Sequence, residues 1–210
     1  MKKVLLIALA LITCLAAEAQ LRTIKPSEIY KIPNTISPDW EDYDNIFHHD
    51  FLSEYYWFCH VGKIKASSTL KSQGSKNYKA DNLYDKDYET AWVEGVKGYG
   101  IGEWIEYKNV ANRLDGFPVP VWTIKILNGY VKSNKAWKEN SRVKRLKVYS
   151  NGKPKCILEL QDSRSLQVFD LDKYDFFDVG ATIRFEILDV YPGTKYQDTV
   201  ISEIYFECYD

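Results

Sequence analysis

The amino-acid sequence predicts an all-β protein, folded as an antiparallel sandwich or barrel. Apolar and polar residues alternate with a period of two in Ile183–Ile187 and Ile204–Cys208, which is typical of strands with one buried face. Asn151-Gly152 predicts a tight hairpin and Pro192-Gly193 a second turn between strands. Aromatic residues make up 15% of the chain, and this composition favours strands. Strands are therefore predicted at 104–107, 121–127, 145–148, 183–187 and 204–208.

The N-terminal segment 1–19 has the features of an export signal. Two lysines precede an apolar run, Val4–Ile12, that is too short to span a bilayer, and Ala17–Ala19 forms an A-x-A cleavage site. Cleavage there starts the mature chain at Gln20. A lipoprotein signal ending at Cys14 is the less favoured alternative, because threonine is a poor residue before a lipidated cysteine. We expect export to the periplasm or the exterior, without a transmembrane segment.

Residues 20–57 form a predicted N-terminal extension, and residues 58–210 form the predicted domain. The extension contains three prolines followed by acidic and aromatic residues, and one short helix is indicated near 40–52. We expect this extension to lie on the domain.

The cysteines give a second expectation that depends on export. Cys59 lies in the first predicted strand region of the domain and Cys208 in the last, so the two meet if the end strands are neighbours. In that arrangement Cys156 remains a free, buried thiol. The alternative is three buried free thiols.

Charge and histidine content argue against two classes of function. The chain has 28 Lys+Arg and 29 Asp+Glu, so it lacks the basic excess that nucleic-acid binding requires. The three histidines are His48, His49 and His60. The adjacent His48 and His49 do not have the spacing of a zinc site, and the adjacent Cys59 and His60 do not form a positioned catalytic dyad. A pair of carboxylates acting on a glycosidic bond stays open among 29 acidic residues. Because the histidines form neither a zinc site nor a catalytic dyad, we expect no enzyme activity.

The segment Asn82–Trp92 contains the clearest candidate for chemistry. Asp85, Asp87 and Thr90 place three oxygen-bearing side chains within six residues, and Ca²⁺ is bound by such oxygens together with backbone carbonyls. The segment lacks the spacing and glycine of an EF-hand loop. An acidic surface turn without a metal is the alternative.

Several motifs in order resemble the discoidin, or coagulation factor 5/8 type C, domain, which is a galactose-binding-like jelly roll. The resemblance covers about residues 60–208 and is closest to the glycan-binding or translocation module of NAD glycohydrolases. The motifs that carry it are Ala66–Leu70, Asn82–Trp92, Gly100–Ile105, Asn128–Tyr130, Asn140–Arg142, Asp189–Gly193 and Asp198–Ile204.

The resemblance implies a structural Ca²⁺ beneath the ligand-binding end of the sandwich. By position, its ligands are the Asn82 carbonyl, Asp85, Asp87, Thr90, the Ser202 carbonyl and Glu203. The family usually has glycine between the two aspartates, whereas this chain has Lys86, which resists a positive φ.

The resemblance also implies that loops at one end of the sandwich hold the ligand. Sugars stack an apolar face on aromatic rings and require hydrogen-bond donors and acceptors for their hydroxyls. The candidate residues are Trp92, Glu94, Tyr99, Tyr130, Trp137, Asn140, Arg142 and Tyr191. Trp137 is the first choice because it stands alone in a charged segment, whereas Trp92 and Trp104 also fit a core position. Arg142, Tyr130 and Tyr191 have structural alternatives in an ion pair, a strand cap and turn packing.

These observations give three hypotheses of function. The first is an exported, non-catalytic glycan-binding module with a structural Ca²⁺. The alternative is a module of the same fold that binds a protein partner or a cell surface. An enzyme acting on glycosides is the third.

Overall fold

The computed structural model describes residues 21–32, 57–59, 61–110, 112–114, 117–171 and 177–208. The predicted signal segment, the predicted helix near 40–52 and all three histidines lie outside these ranges. Within them, no helix combines the length and the apolar character needed to cross a membrane.

The described chain is almost entirely strand, with one short α-helix and one 3₁₀ helix at Ala80–Tyr84. The α-helix, α1, spans Asn134–Glu139. The strands are β1 (Arg22–Ile24), β2 (Glu28–Lys31), β3 (Trp57–Phe58), β4 (Lys63–Ala66), β5 (Trp92–Val93), β6 (Trp104–Val110), β7 (Asn112–Leu114), β8 (Phe117–Val119), β9 (Val121–Asn128), β10 (Ser141–Ser150), β11 (Lys153–Glu159), β12 (Ser165–Asp170), β13 (Ala181–Tyr191) and β14 (Thr199–Cys208).

In the described ranges, twelve strands form one sheet whose main hydrogen-bonded path folds into two layers at β14, and β7 and β8 pair with each other in a separate sheet. The path runs β2-β12-β9-β14-β10-β13-β6-β4. The start of β14 pairs with β5 and with β10, whereas its later part pairs with β9 and with β3. One layer therefore contains β12, β9 and the end of β14, and the other contains β10, β13 and β6.

The core between the layers is built by the alternating residues that the sequence pattern identified. Phe206 of β14 packs its ring edge-on against Tyr107 of β6 at 4.9 Å and stacks on Phe185 of β13 at 6.1 Å between centroids. All three side chains are fully buried. Such contacts across two sheets are the packing of a β-sandwich. The predicted all-β sandwich is confirmed.

The hairpin prediction is also confirmed, whereas the purely antiparallel sheet is not. Asn151 and Gly152 connect β10 to β11 with φ angles of 49° and 77°, the positive values that a tight hairpin turn requires. The sheet is mixed, because β1 pairs parallel to β11 and the start of β10 pairs parallel to β14. Period-two patterns report which face of a strand is buried and carry no information about its direction.

The first described residues lie on the sandwich as two added strands. β1 pairs with β11, and β2 pairs with β12 at the edge of the other layer. Cys59 follows β3 and is disulfide-bonded, whereas Cys156 is a free, buried thiol. The β3–β14 pairing places Cys208 opposite Trp57 in the backbone register.

Candidate functional site

The candidate cation loop begins where the 3₁₀ helix Ala80–Tyr84 ends. Asp85 Oδ1 accepts hydrogen bonds from the Asp87 amide at 3.0 Å and from the Thr90 hydroxyl at 3.1 Å. The Thr90 hydroxyl also lies 2.8 Å from Asp85 Oδ2 and 3.1 Å from the Asp87 carbonyl. Lys86, between the two aspartates, has a φ of 63°. The loop thus adopts the left-handed conformation that glycine would take at this position without strain.

Glu203 enters this loop from β14 and is fully buried. Its Oε1 accepts a hydrogen bond from the Asp87 amide at 3.1 Å, and its Oε2 is buried without a hydrogen-bond partner among the described residues. Burial raises the pKa of Glu203 well above its ordinary value, the adjacent Asp85 carboxylate adds to the increase, and the Tyr205 hydroxyl opposes it. A buried carboxylate beside a second one favours a cation between them.

The side chains of the other predicted metal ligands already take part in hydrogen bonds within the protein. The Asp87 carboxylate accepts from the Glu89 amide, and the Asn82 amide group donates to Asn77 and Ala91 carbonyls. Ser202 uses its hydroxyl to bridge Val131 and Gly129. Among the described residues, no group of three or more His, Cys, Asp or Glu side chains is arranged to hold a metal. A cation here requires backbone carbonyls in addition to the carboxylates, as the family resemblance implies for Asn82 and Ser202.

A groove of about 410 Å³ lies beside this loop, and we call it the tyrosine groove. It is formed by the segment after β4, the segment from Tyr130 through α1, and the β13–β14 loop. Its lining residues are Leu70, Gln73, Lys76, Tyr78, Val93, Tyr130, Lys132, Ser133, Lys135, Ala136, Glu139, Asn140, Tyr196 and Asp198.

The floor of the tyrosine groove is rigidly attached to the cation loop. Tyr78 and Tyr130 pack with Val93 and Val200 in one buried cluster. The Tyr130 hydroxyl donates to the Glu89 carbonyl at 3.1 Å. Tyr196 belongs to the rim and is 40% exposed. The groove therefore offers aromatic surface in its floor and polar side chains around its opening.

A family model identifies the family to which the chain belongs. The model for the NAD glycohydrolase translocation F5/8 type C domain matches residues 55–207. The chain belongs to this family. No curated protein sequence matches it.

Two solved structures resemble this F5/8 type C domain distantly. CpGH89CBM32-5 from Clostridium perfringens, solved in complex with GalNAc-β-1,3-galactose, is 14% identical with a TM-score of 0.46, covering 69% of this chain and 93% of that one. Arabinofuranosyltransferase AftD from Mycobacteria is 17% identical with a TM-score of 0.46, covering 90% of this chain and 13% of that one. Both likenesses are too distant to bear on the ligand of this chain.

Two residues predicted to contact the ligand of the F5/8 type C domain are buried instead. Trp92 is fully buried in the main core, and its indole N–H donates to the Ser68 carbonyl at 3.1 Å. Glu94 is fully buried too and accepts hydrogen bonds from the Val96 and Thr199 amides. The core alternative therefore holds for Trp92, and Glu94 holds a loop in place.

Trp137 and Arg142 lie outside the tyrosine groove and hold its helical wall. Trp137 is half-buried on α1, where the sequence predicted an exposed side chain, and its indole N–H donates to the Asn128 carbonyl at 2.9 Å. Arg142 lies 4.3 Å from the centre of the Trp137 ring and forms a two-point ion pair with Asp162. The ion-pair alternative for Arg142 is thus what the structure shows.

The other predicted contacts divide between groove and scaffold. Tyr130 and Asn140 line the tyrosine groove. The Tyr191 hydroxyl donates to the Leu160 carbonyl, and the Tyr99 carbonyl accepts from the Thr199 hydroxyl, so both fix loops next to strands. Tyr99 and Trp137 do not share a platform in the groove.

Sequence reasoning missed most of the groove's rim. Tyr78, Lys76 and Gln73 come from a polar segment without a family motif, and Tyr196 and Asp198 come from the β13–β14 loop. One signal was available, since a tyrosine in a polar turn next to Pro192-Gly193 is a candidate contact residue. No sequence signal predicts that residues about 120 positions apart, such as Lys76 and Tyr196, line the same groove.

Proposed function

We propose that the protein is an exported, non-catalytic glycan-binding module whose ligand occupies the tyrosine groove. The observation that carries this proposal is the groove itself, in which Tyr78, Tyr130 and Tyr196 occur together with amide, carboxylate and ammonium groups. Its volume of about 410 Å³ is within the range of small-molecule sites. Membership in the F5/8 type C family supports a binding role.

The chemistry of the groove suits a sugar ring. Aromatic surface receives the apolar face of a pyranose, and hydroxyl groups require donors and acceptors at fixed positions. Gln73 and Asn140 supply both kinds of group, and Asp198 supplies acceptors. The tyrosine floor is already held by packing and by the Tyr130–Glu89 hydrogen bond, so little ordering is needed on binding.

A glycan array followed by titration of the strongest sugar tests the proposal. Tyr196→Ala removes the exposed ring at the rim and is expected to weaken binding at least tenfold, with an unchanged melting temperature. Ile101→Ala is the matched control, because it removes another exposed apolar side chain, 57% exposed, from a loop outside the groove. Absence of any sugar hit, or equal binding by the Tyr196 variant and the wild type, would reject the groove as a glycan site.

We further propose a structural Ca²⁺ in the loop formed by Asp85–Thr90 and Glu203. The buried Glu203 oxygen without a hydrogen-bond partner and the nearby Asp85 carboxylate support it. Asp85 and Glu203 would supply the charge, and Asp87, Thr90 and the carbonyls of Asn82 and Ser202 would complete the oxygen ligands. The bound ion would neutralise the carboxylates and tie the loop to β14.

A protein-interaction module is the second candidate, supported by a different surface. Val96 and Ile101 are 40% and 57% exposed in the glycine-rich loop between β5 and β6. Exposed aliphatic side chains within one loop favour contact with another apolar surface. If this candidate is correct, Ile101→Ala weakens capture of the partner and Tyr196→Ala does not, which is the reverse of the glycan expectation.

Export is supported by the sequence of residues 1–19 and by the disulfide at Cys59, because disulfides persist in oxidising compartments. N-terminal sequencing of the protein recovered from its native compartment tests it. Cleavage before Gln20 supports export, and an intact Met1 contradicts it.

A further inference from the structure

The charges around the tyrosine groove are unevenly placed, although the whole chain is close to neutral. Lys76 and Lys132 both line the groove. The Lys132 ammonium lies 4.1 Å from the centre of the Tyr130 ring. The positive charge of Lys76 lowers the pKa of both Tyr78 and Tyr130, against the larger effect of burial, which raises the pKa of each. Two ammonium groups therefore act on the same aromatic floor.

Neither of these lysines is neutralised by a carboxylate in the ranges that the structure describes. The groove also contains the carboxylates of Glu139 and Asp198. Burial raises the pKa of Tyr78 most, and the charge of Asp198 adds to the increase. Glu139 pairs with Lys135 at 4.0 Å and also feels the charge of Lys195.

Burial raises the pKa of Tyr130 most, and the charges of Glu89 and Asp87 raise it further, so negative charge is also present near this ring. Neither carboxylate forms an ion pair with Lys76 or Lys132 in the part of the chain that the structure describes. An anion at the Tyr130 side of the groove would therefore meet two ammonium groups that no described carboxylate pairs with.

From this arrangement we infer that the preferred ligand is an acidic sugar, whose carboxylate or sulfate group lies against Lys76 and Lys132. The inference rests on the proposed glycan-binding function and specifies its substrate class. The sugar ring lies over the tyrosine floor, and its hydroxyls face Asp198 and Asn140. Hydrogen bonds between charged partners are stronger than neutral ones, so the acidic group is the main determinant of selectivity. Coulomb interactions of exposed groups weaken with added salt, so this selectivity decreases at high ionic strength.

Matched sugars that differ in one group test the inference. Galactose, galacturonate and galactose 6-sulfate, and glucose with glucuronate, are titrated against the wild-type protein by calorimetry or saturation-transfer NMR, after an array of neutral and acidic glycans. An acidic member of a set is expected to bind about tenfold more tightly than its neutral partner at low salt. The galacturonate and sulfate arms show which anionic group is preferred.

Two lysine variants separate the charge effect from general damage to the groove. Lys76→Gln combined with Lys132→Gln is expected to lower the ratio of affinities for the acidic and the neutral sugar from about ten to about one. Lys138→Gln is the matched control, because it makes the same change on α1 at an exposed residue outside the groove lining. The preference is expected to persist in this control.

The outcomes distinguish the inference from the function on which it rests. Equal binding of neutral and acidic sugars, or a preference that survives in the double variant, overturns the inference and leaves glycan binding intact. Absence of binding to every glycan on the array overturns both. A preference for acidic sugars that disappears in the double variant and persists in the control supports both.

Discussion

Replacing Glu203 by glutamine separates the cost of a buried charge from the benefit of a bound cation. In the cation-free protein, the Glu203 carboxylate is fully buried, accepts one hydrogen bond from the Asp87 amide and has a second oxygen without a hydrogen-bond partner. Glutamine keeps an oxygen for that amide, removes the negative charge and directs an NH₂ group toward the Asp85 side. The variant is therefore expected to be more stable than the wild type when Ca²⁺ is absent.

The magnitude follows from the unsatisfied group. A buried polar group without its partner costs about 1–3 kcal/mol, and a charged one costs at least as much. A domain of this length changes its melting temperature by about 2–4 °C per kcal/mol, so Glu203→Gln should raise the melting temperature in chelator by roughly 2–12 °C. Saturating Ca²⁺ at about 100 times its Kd adds about 2.7 kcal/mol to the wild type alone, roughly 5–11 °C. Ca²⁺ should thus reduce the stability difference, and reverse it where the Ca²⁺ shift is the larger of the two.

Thermal unfolding of wild type and variant, each with chelator and with Ca²⁺, measures this pattern. Glu89→Gln is the control, because Glu89 is exposed in the same loop and contributes its backbone to the local hydrogen bonds. It should behave as the wild type does. A variant that melts below the wild type in chelator would refute the account of Glu203, and equal Ca²⁺ shifts in both proteins would refute the cation site.

Three further outcomes are expected. Gly129→Ala should lower stability by about 2–4 kcal/mol in chemical denaturation, because φ is +82° and the added Cβ would lie 2.7 Å from atoms of Trp137; a loss below about 0.5 kcal/mol would contradict this. Burial raises the pKa of Glu94, so its contribution to stability is complete below its unfolded pKa and is lost as pH rises through its folded pKa. The melting temperature of the wild type relative to Glu94→Gln should therefore fall as pH rises above the ordinary pKa of glutamate, about 4.3, and a constant difference would exclude the effect. Peptide mapping without reduction should find Cys59 linked to Cys208, and a free Cys208 would exclude that pairing.

The strands could be predicted where apolar residues of the core alternate with polar ones along the chain. Ile183–Ile187 alternates between buried and partly exposed residues, as its sequence pattern predicts. The pattern of Ile204–Cys208 predicted the strand correctly but its burial incorrectly, because Tyr205 and Glu207 on the predicted polar face are buried as well. The hairpin at Asn151-Gly152 follows from the need for positive φ at two successive positions. The order of the strands and the parallel pairing of β10 with β14 depend on chain crossings, which leave no local signal in the sequence.

The cation loop was easier to predict than the groove because its residues are close together in the chain. Asp85, Asp87 and Thr90 are neighbours in sequence, and the structure joins them through hydrogen bonds, with Glu203 as the one distant member. The tyrosine groove has no such local centre. Its rim combines three segments, and Tyr196 becomes relevant only once the β13–β14 loop lies against α1.

The position of Trp137 shows how a sequence signal for binding can come from scaffolding. Lysines and a glutamate surround Trp137 in the chain, but on a helix these neighbours point away from the face that carries the ring. That face is covered by Gly129, where any side chain would collide with the indole, and by Arg142, which is fixed by Asp162. Polar neighbours in the sequence therefore predict an exposed aromatic side chain only when the segment is an extended loop and not a helix. Because these contacts hold α1 in place, they also hold the wall of the tyrosine groove that Ala136 and Asn140 form. Arg142→Ala should consequently weaken ligand binding and thermal stability together, whereas a residue that only contacts the ligand, such as Tyr196, should affect binding alone.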